Sequence, residues 1–203
     1  MTHSLHRQGH VESLKEDFVV LAYGGAQSVL ATQKERLSKK FPRFHKMLKG
    51  MFSKLGIIKI LRIVRKRESK EEFKTAVVLN SKEELYSYLK RLKDANTGKS
   101  VVVSGLFDEV NSCLKELDLC FHTVQFSLGY FGSTELLPRE EILEMTTMCG
   151  HHMVSTRLVE KLASDVGKGK ITPKEAAQAM GKLCACEIFN EARAAKIIEA
   201  LIK

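Results

Sequence analysis

The sequence predicts an α/β protein with a mainly parallel sheet of about four strands, flanking helices and an all-helical carboxy-terminal part. Two patterns lead to this class: short β-branched or aromatic runs bounded by turn residues, and apolar residues at helical spacing between those runs. Strands that alternate with helices are typical of right-handed crossovers and a parallel sheet. After Gly132 no strand-like run follows. We therefore expect an α/β domain over residues 1–135 and a helical subdomain over residues 136–203.

The predicted strands are short, continuous apolar runs, as expected for strands that are buried on both faces. Helices are expected over Lys82–Ala95 and Leu106–Leu117, with Ser81 and Asp108 near their starts. The four predicted strands are Phe18–Ala22, Thr75–Leu79, Ser100–Ser104 and Thr123–Leu128.

The carboxy-terminal part carries clear signals for helix starts. Pro138 suits the first turn of a helix. Thr172 and Glu175 form a capping-box pattern around Pro173, and Asn190 is a suitable N-cap for the last helix. The helices expected from these signals and from apolar spacing are Pro138–Met148, Val154–Val166, Thr172–Leu183 and Asn190–Ile202.

The basic excess of the chain lies between Lys34 and Lys70. The whole sequence has a formal net charge of +9. This segment contains 14 Lys and Arg residues against only Glu35 and Glu68, which is a net charge of +12, so the remaining residues sum to −3. Apolar residues recur within it at every third or fourth position. The pattern predicts a basic amphipathic helical insertion over residues 34–70.

The basic insertion has two interpretations. It is either a helical hairpin that packs its apolar face inward and leaves a solvated cationic face, or a surface that binds an acidic protein or an anionic membrane. In the second case the protein is a non-enzymatic interaction module. Nucleic acid is the less favoured partner, because the chain has no Trp and no aromatic recognition motif on a predicted strand.

Length and composition indicate a globular protein in a reducing compartment. With 203 residues, 44% of them hydrophobic and 28% charged, the chain can bury a core without disulfides, and a wholly disordered chain is excluded. No apolar run has the length of a membrane span or a secretion signal. The 5 cysteines are an odd number, which favours free thiols and a cytoplasmic location.

Cysteines and histidines form two short groups that follow predicted helices of the carboxy-terminal part. Thiolates with imidazole are ligands of zinc, and three thiolates with one further ligand can hold an iron–sulfur cluster. The groups can converge if the helices between them form an antiparallel hairpin. The second group can bind a metal only if its helix has ended at Ala185, because residues two apart in a helix face different directions. The candidate metal ligands are Cys149, His151, His152, Cys184 and Cys186.

Two other interpretations of these residues remain open. Cys184 continues an apolar row of its predicted helix, as a buried structural cysteine does. Alternatively, Cys149 is the nucleophile of a thiol-dependent enzyme, with His151 or His152 as the base. No catalytic triad or cofactor fingerprint identifies a reaction or a catalytic residue. The first hypothesis is therefore a metal site with a redox- or metal-linked role.

Small residues follow the predicted strands. In a parallel sheet the carboxyl ends of the strands lie at one edge, where helix N-termini offer backbone N–H groups to anions. On this basis we expect a ligand-binding site at Gly24, Gly25, Ser104 and Gly105.

The amino-terminal arm contains three histidines at helical spacing but has little apolar support. We expect these histidines to be exposed to solvent or to bind metal only adventitiously. If the arm folds back over the core, His6 and Arg7 are the residues of interest. The three histidines are His3, His6 and His10.

Overall fold

The computed structural model describes residues 7–24, 73–96 and 98–202, and in these ranges it contains three strands and seven α-helices. The strands are β1 (Phe18–Gly24), β2 (Ala76–Leu79) and β3 (Lys99–Ser104), and β1 lies between the other two. β1 and β2 are antiparallel, and their register places Phe18 opposite Leu79. The first five residues of β1 are all buried, so both faces of this strand are covered.

The prediction of a mainly parallel sheet of about four strands is wrong. The described residues form a small three-stranded antiparallel sheet. Helix α2 (Lys82–Ala95) does connect β2 to β3, so the predicted alternation of strand and helix is present there. The two connected strands are separated by β1, however, and are not neighbours. Alternation along the chain cannot reveal that an antiparallel strand occupies the position between them.

The fourth predicted strand, Thr123–Leu128, is also wrong. The described residues 119–133 form no strand, and all of their side chains are exposed. Leu128 is 82% exposed, while Phe126 contacts the ring of Phe107 with 5.4 Å between the ring centroids. Apolar and polar residues alternate as in a strand, but no strand of the described sheet pairs with them.

Most predicted helices are present in the structure, and α2 also has its predicted bounds. The carboxy-terminal helices begin and end within two residues of the predicted positions. A short 3-10 helix, Thr134–Leu136, precedes them. The remaining helices are α1 (Val11–Leu14), α3 (Phe107–Glu116), α4 (Glu140–Thr147), α5 (Thr156–Gly167), α6 (Pro173–Gly181) and α7 (Glu191–Leu201).

Local hydrogen bonds explain where α6 and α7 begin. The backbone N–H of Glu175 donates to Thr172 Oγ1 at 3.2 Å, and the Thr172 N–H donates to Glu175 Oε2 at 2.8 Å. The predicted capping box is therefore confirmed. Asn190 Oδ1 accepts the backbone N–H of Arg193 at 2.9 Å, which confirms the predicted N-cap of α7.

The chain divides into two compact units, and all the cysteines lie in the first. In the second unit, the Arg91 guanidinium lies 5.6 Å from the centroid of the Phe73 ring. Lys99 Nζ donates to the Phe73 carbonyl at 3.1 Å. The first unit comprises Met1–Leu21, Thr75–Lys90 and Val102–Lys203, and the second comprises Ala22–Lys74 and Arg91–Val101.

Several predictions concern other parts of the chain. The basic insertion over residues 34–70 lies outside the described residues, as do His3 and His6. The domain boundary between residues 135 and 136 stays a prediction. Among the described helices, none combines the length and apolar character that crossing a membrane requires.

Candidate metal centre

Two tight turns with the same hydrogen-bond pattern carry three cysteines and two histidines. In the Cys149 turn (residues 149–152), the Cys149 carbonyl accepts the N–H of His152 at 2.9 Å. In the Cys184 turn (residues 184–187), the Cys184 carbonyl accepts the N–H of Glu187 at 3.0 Å. Both turns end on a left-handed residue, with φ of 52° at His152 and 56° at Glu187. The first and third positions of the turns are Cys149 and His151, and Cys184 and Cys186.

Both turns lie beyond the end of a helix. α4 ends at Thr147 and α6 ends at Gly181. The helix has therefore ended before Ala185, and the condition for Cys184 and Cys186 to share a metal is met. A left-handed backbone costs a residue other than glycine about 1–3 kcal/mol, and such residues cluster at functional sites.

Side chains of the two turns contact each other. Cys186 Sγ lies 3.1 Å from His151 Nδ1 and 4.0 Å from His151 Nε2. Cys149 and Cys184 form the second pair, and the thiol of Cys184 lies close enough to raise the pKa of Cys149. The second pair is buried, with Cys149 0% and Cys184 4% exposed, whereas His151 is exposed and Cys186 is half-buried. Each turn thus contributes one side chain to an inner pair and one to an outer pair.

The environment of Cys149 favours a neutral thiol in the metal-free protein. Burial raises its pKa above the ordinary value, and the thiol of Cys184 raises it further. Hydrogen bonds from the backbone N–H groups of Met153 and His151 act in the opposite direction. A nucleophilic cysteine needs a lowered pKa, so this environment does not favour the interpretation of Cys149 as a nucleophile. The two N–H groups are suited to stabilise a metal-bound thiolate.

Cys186 is electrostatically linked to the inner pair. Burial raises its pKa, and negative charge on Cys184 or Cys149 raises it further. All three thiols therefore interact, although the two turns are 35 residues apart in sequence. Three thiolates at such short range repel one another, and a cation between them would replace this repulsion with attraction.

The five predicted ligands are not all placed alike. Four of them form the two neighbouring pairs, while the side chain of His152 is exposed at the end of its turn. Within the described ranges, no three Cys, His, Asp or Glu side chains are gathered into a ready-made metal site. Ligation of one metal by both pairs requires them to close further around it.

A buried ionic network adjoins the turns, and the sequence reasoning missed it. The Arg193 guanidinium of α7 is only 2% exposed, and it donates to Asp17 Oδ2 at 2.7 Å and to Glu144 Oε2 at 2.8 Å. Arg7 pairs with the other oxygen of Asp17. The amino-terminal arm passes the Arg193–Glu144 pair at Gly9, where φ is 143°. A Cβ at this position would collide with both side chains, so only glycine fits there. Two guanidinium groups and two carboxylates balance each other's charge in this network.

The predicted site at the strand ends gains no support from the structure. Gly25 lies outside the described residues, and a Cβ at Gly24 would meet no atom within 4 Å. Ser104 is buried, and a Cβ on Gly105 would lie 2.5 Å from Cδ1 of Phe18, so Gly105 allows the backbone to pack on that ring. The expectation depended on parallel strands whose carboxyl ends share an edge. The antiparallel sheet removes that reason, and the site stays a prediction.

The other two cysteines differ from those in the turns. Cys113 is buried in α3, and its thiol donates to the Lys82 carbonyl at 3.8 Å. Cys120 is exposed. Neither lies in a turn of the kind described above, so they serve as natural controls for the three cysteines that do.

No protein-family model, curated protein or solved structure matches the chain. The class of the site is therefore defined by its own donors, which are three thiols and one imidazole on two similar turns. Such donors are typical ligands of zinc and of iron–sulfur clusters.

Proposed function

We propose that the Cys149 turn and the Cys184 turn together bind a metal, either a zinc ion or an iron–sulfur cluster. The observation that carries this proposal is the 3.1 Å contact between Cys186 Sγ and His151 Nδ1, which joins two turns of the same geometry. Three cysteines with one histidine are an established ligand set for structural zinc. The ligands in this proposal are Cys149, His151, Cys184 and Cys186.

The donor count favours a structural role for the metal. Four protein ligands leave no open coordination position, whereas catalytic zinc sites keep one for water or substrate. A metal held by both turns would cross-link the ends of α4 and α6, and its binding free energy would add to the stability of the fold. Thiolate ligands need a reducing environment, so a cytoplasmic location forms part of the same proposal.

Metal analysis of protein purified anaerobically tests this function. We expect about one zinc ion per chain in colourless protein, or iron and sulfide in brown protein. Serine substitution at Cys149, Cys184 or Cys186 should abolish stoichiometric metal. The proposal is wrong if wild-type protein contains no metal and takes up neither Zn²⁺ nor Co²⁺ under reducing conditions.

Matched substitutions separate the site from general effects of losing a thiol. Cys113→Ser removes a buried thiol and Cys120→Ser an exposed one, and both variants should keep the metal. His151→Asn should weaken binding, whereas His152→Asn should leave it unchanged because its side chain takes no part in the contacting pairs. Equal effects of the two histidine substitutions would remove His151 from the ligand set.

The contact of Cys186 with His151 also supports a second candidate, a thiol-dependent activity. An imidazole within hydrogen-bond reach of a thiol can act as its base. In Cys186 this base would have to overcome the burial and the neighbouring thiols that raise its pKa. This candidate predicts metal-free protein in which Cys186 is alkylated by iodoacetamide near neutral pH faster than the exposed Cys120. Slow alkylation of Cys186 in metal-free protein would exclude it.

A separate proposal concerns the basic insertion, whose net charge of +12 supports binding to an anionic membrane or an acidic protein. Replacing Arg65, Lys66 and Arg67 with Glu should abolish sedimentation with phosphatidylserine vesicles. The control replaces three Lys residues outside the insertion with Glu, which changes the net charge equally and should preserve sedimentation. Equal losses would mean that net charge alone matters. The control residues, all exposed, are Lys161, Lys168 and Lys174.

A further inference from the structure

Arg7 connects the backbones of the two cysteine turns. One of its terminal nitrogens donates to the carbonyl of Met148 at 3.2 Å and also to the carbonyl of Ile188. Met148 directly precedes Cys149, and Ile188 follows the last residue of the Cys184 turn. The Arg7 side chain is 5% exposed, so these hydrogen bonds are shielded from water.

The guanidinium is itself held in place. Its other terminal nitrogen pairs with Asp17 Oδ1, and the same carboxylate oxygen accepts from Asn190 Nδ2 at 3.1 Å. Asp17 Oδ2 is bound by Arg193. The backbone N–H of Gln8 donates to Thr147 Oγ1 at 3.1 Å, which fixes the arm next to the end of α4. The position of the Arg7 guanidinium therefore follows from the buried network, and one of its nitrogens binds a carbonyl next to each turn.

We propose that Arg7 is a positioning residue that holds the Cys149 turn and the Cys184 turn in register for metal binding. The inference rests on the proposed function for its metal-dependent part, whereas the register of the two turns is also a property of the metal-free protein. A guanidinium suits this role because its planar array of N–H groups can serve two carbonyls and a carboxylate at once. A lysine ammonium retains the charge without that planar geometry.

The first test measures metal affinity. Arg7→Lys and Arg7→Gln should bind Zn²⁺ and Co²⁺ about 10- to 100-fold more weakly than the wild type, the range found when groups that orient metal ligands are removed. At saturating Co²⁺ the ligand-field absorption spectrum should also change, because the donors meet the ion in altered geometry. A merely destabilising substitution would lower the folded fraction but leave that spectrum unchanged. The control is Lys196→Gln, which removes an exposed ion pair with Glu16.

The second test works without metal. In metal-free protein, Arg7→Lys and Arg7→Gln should make Cys149 and Cys184 react faster with iodoacetamide, while the buried Cys113 keeps its wild-type rate. Arg7→Lys keeps the charge opposite Asp17, so it serves if Arg7→Gln fails to fold. Equal acceleration at Cys113 would show that Arg7 acts on global stability, and unchanged rates at all three thiols would also overturn the proposal. Wild-type protein that binds no metal but shows the selective acceleration would refute the proposed function and leave the positioning role standing.

Discussion

Residues 119–133 and the helices that follow them are neighbours in sequence, but the first region exposes apolar side chains and the second buries charged ones. The first region contains no Asp, Glu, Lys or Arg, and its side chains are all exposed. The second region buries Arg193 and Glu144, two of the most polar side chains in the chain. Hydrophobic character alone therefore does not determine which side chains are buried in this protein.

The difference lies in the partners that the structure supplies. The alternating apolar residues of 119–133 have no neighbouring strand in the described sheet to cover them. Arg193 finds two carboxylates, and its Nε also donates to Ser13 Oγ at 2.8 Å. A buried charge is tolerated only when it is paired and hydrogen-bonded, and this network provides both.

The largest expected effect comes from removing a charge from the buried network. Arg193→Met should lower the free energy of unfolding by about 3–5 kcal/mol, because Asp17 and Glu144 lose their shared cation in a buried site. Urea denaturation measures the loss. Lys196→Met on the same helix removes an exposed ion pair and should cost no more than about 1 kcal/mol. Equal losses in the two variants would contradict the contrast between buried and exposed charge.

A smaller effect is expected at the start of α6. Thr172→Ala should cost about 1 kcal/mol, because the N-cap hydroxyl no longer accepts the N–H of Glu175. The pKa of Glu175 is lowered from 4.5 by the backbone N–H and the hydroxyl of Thr172. Its contribution is therefore complete above the unfolded pKa and is lost as the pH falls through the lowered folded pKa.

Glu175→Gln tests that sign. The variant lacks the titrating carboxylate, so its stability should fall less than that of the wild type when the pH decreases through the acidic range. Thermal unfolding at a series of pH values measures the difference. Parallel pH profiles would show that the capping carboxylate does not contribute to the acid sensitivity of the fold.

The smallest effect is expected in residues 119–133. Leu128→Ser should change the free energy of unfolding by no more than about 0.5 kcal/mol, because the side chain is already in water. The matched core substitution Ile198→Ala, in α7, should cost about 2–5 kcal/mol. A large loss for Leu128→Ser would show that this region is covered in solution, and the comparison between the two regions would then fail.

Local signals predicted the helices well and the sheet poorly. The capping box at Thr172 and the N-cap at Asn190 act on backbone groups three residues away, so a short stretch of sequence contains the whole interaction. The sheet depends on pairing between Phe18–Leu21 and Ala76–Leu79, which are more than fifty residues apart. The composition of either strand does not indicate whether the two strands pair in parallel or antiparallel.

The candidate site was predictable in part. The sequence suggested Cys149, His151, His152, Cys184 and Cys186 as candidate ligands, and the metal hypothesis stays a proposal. The buried network was not predicted. The sequence does contain one signal for it, because Arg193 lies four residues before Ile197 and therefore shares the apolar face of α7. Arg7 was singled out only on the condition that the amino-terminal arm folds back, and the structure shows that it contacts the core.

The sequence by itself determined the starts of α6 and α7, the two groups of Cys and His residues and the concentration of positive charge between Lys34 and Lys70, because each of these is a property of neighbouring residues. It did not determine the start of α4, which begins at Glu140, two residues after Pro138. Only the tertiary structure decided the antiparallel order of the strands, the exposure of residues 119–133 and the contact between Cys186 and His151. These features depend on whether segments distant in sequence meet, and no local pattern of residues specifies that meeting.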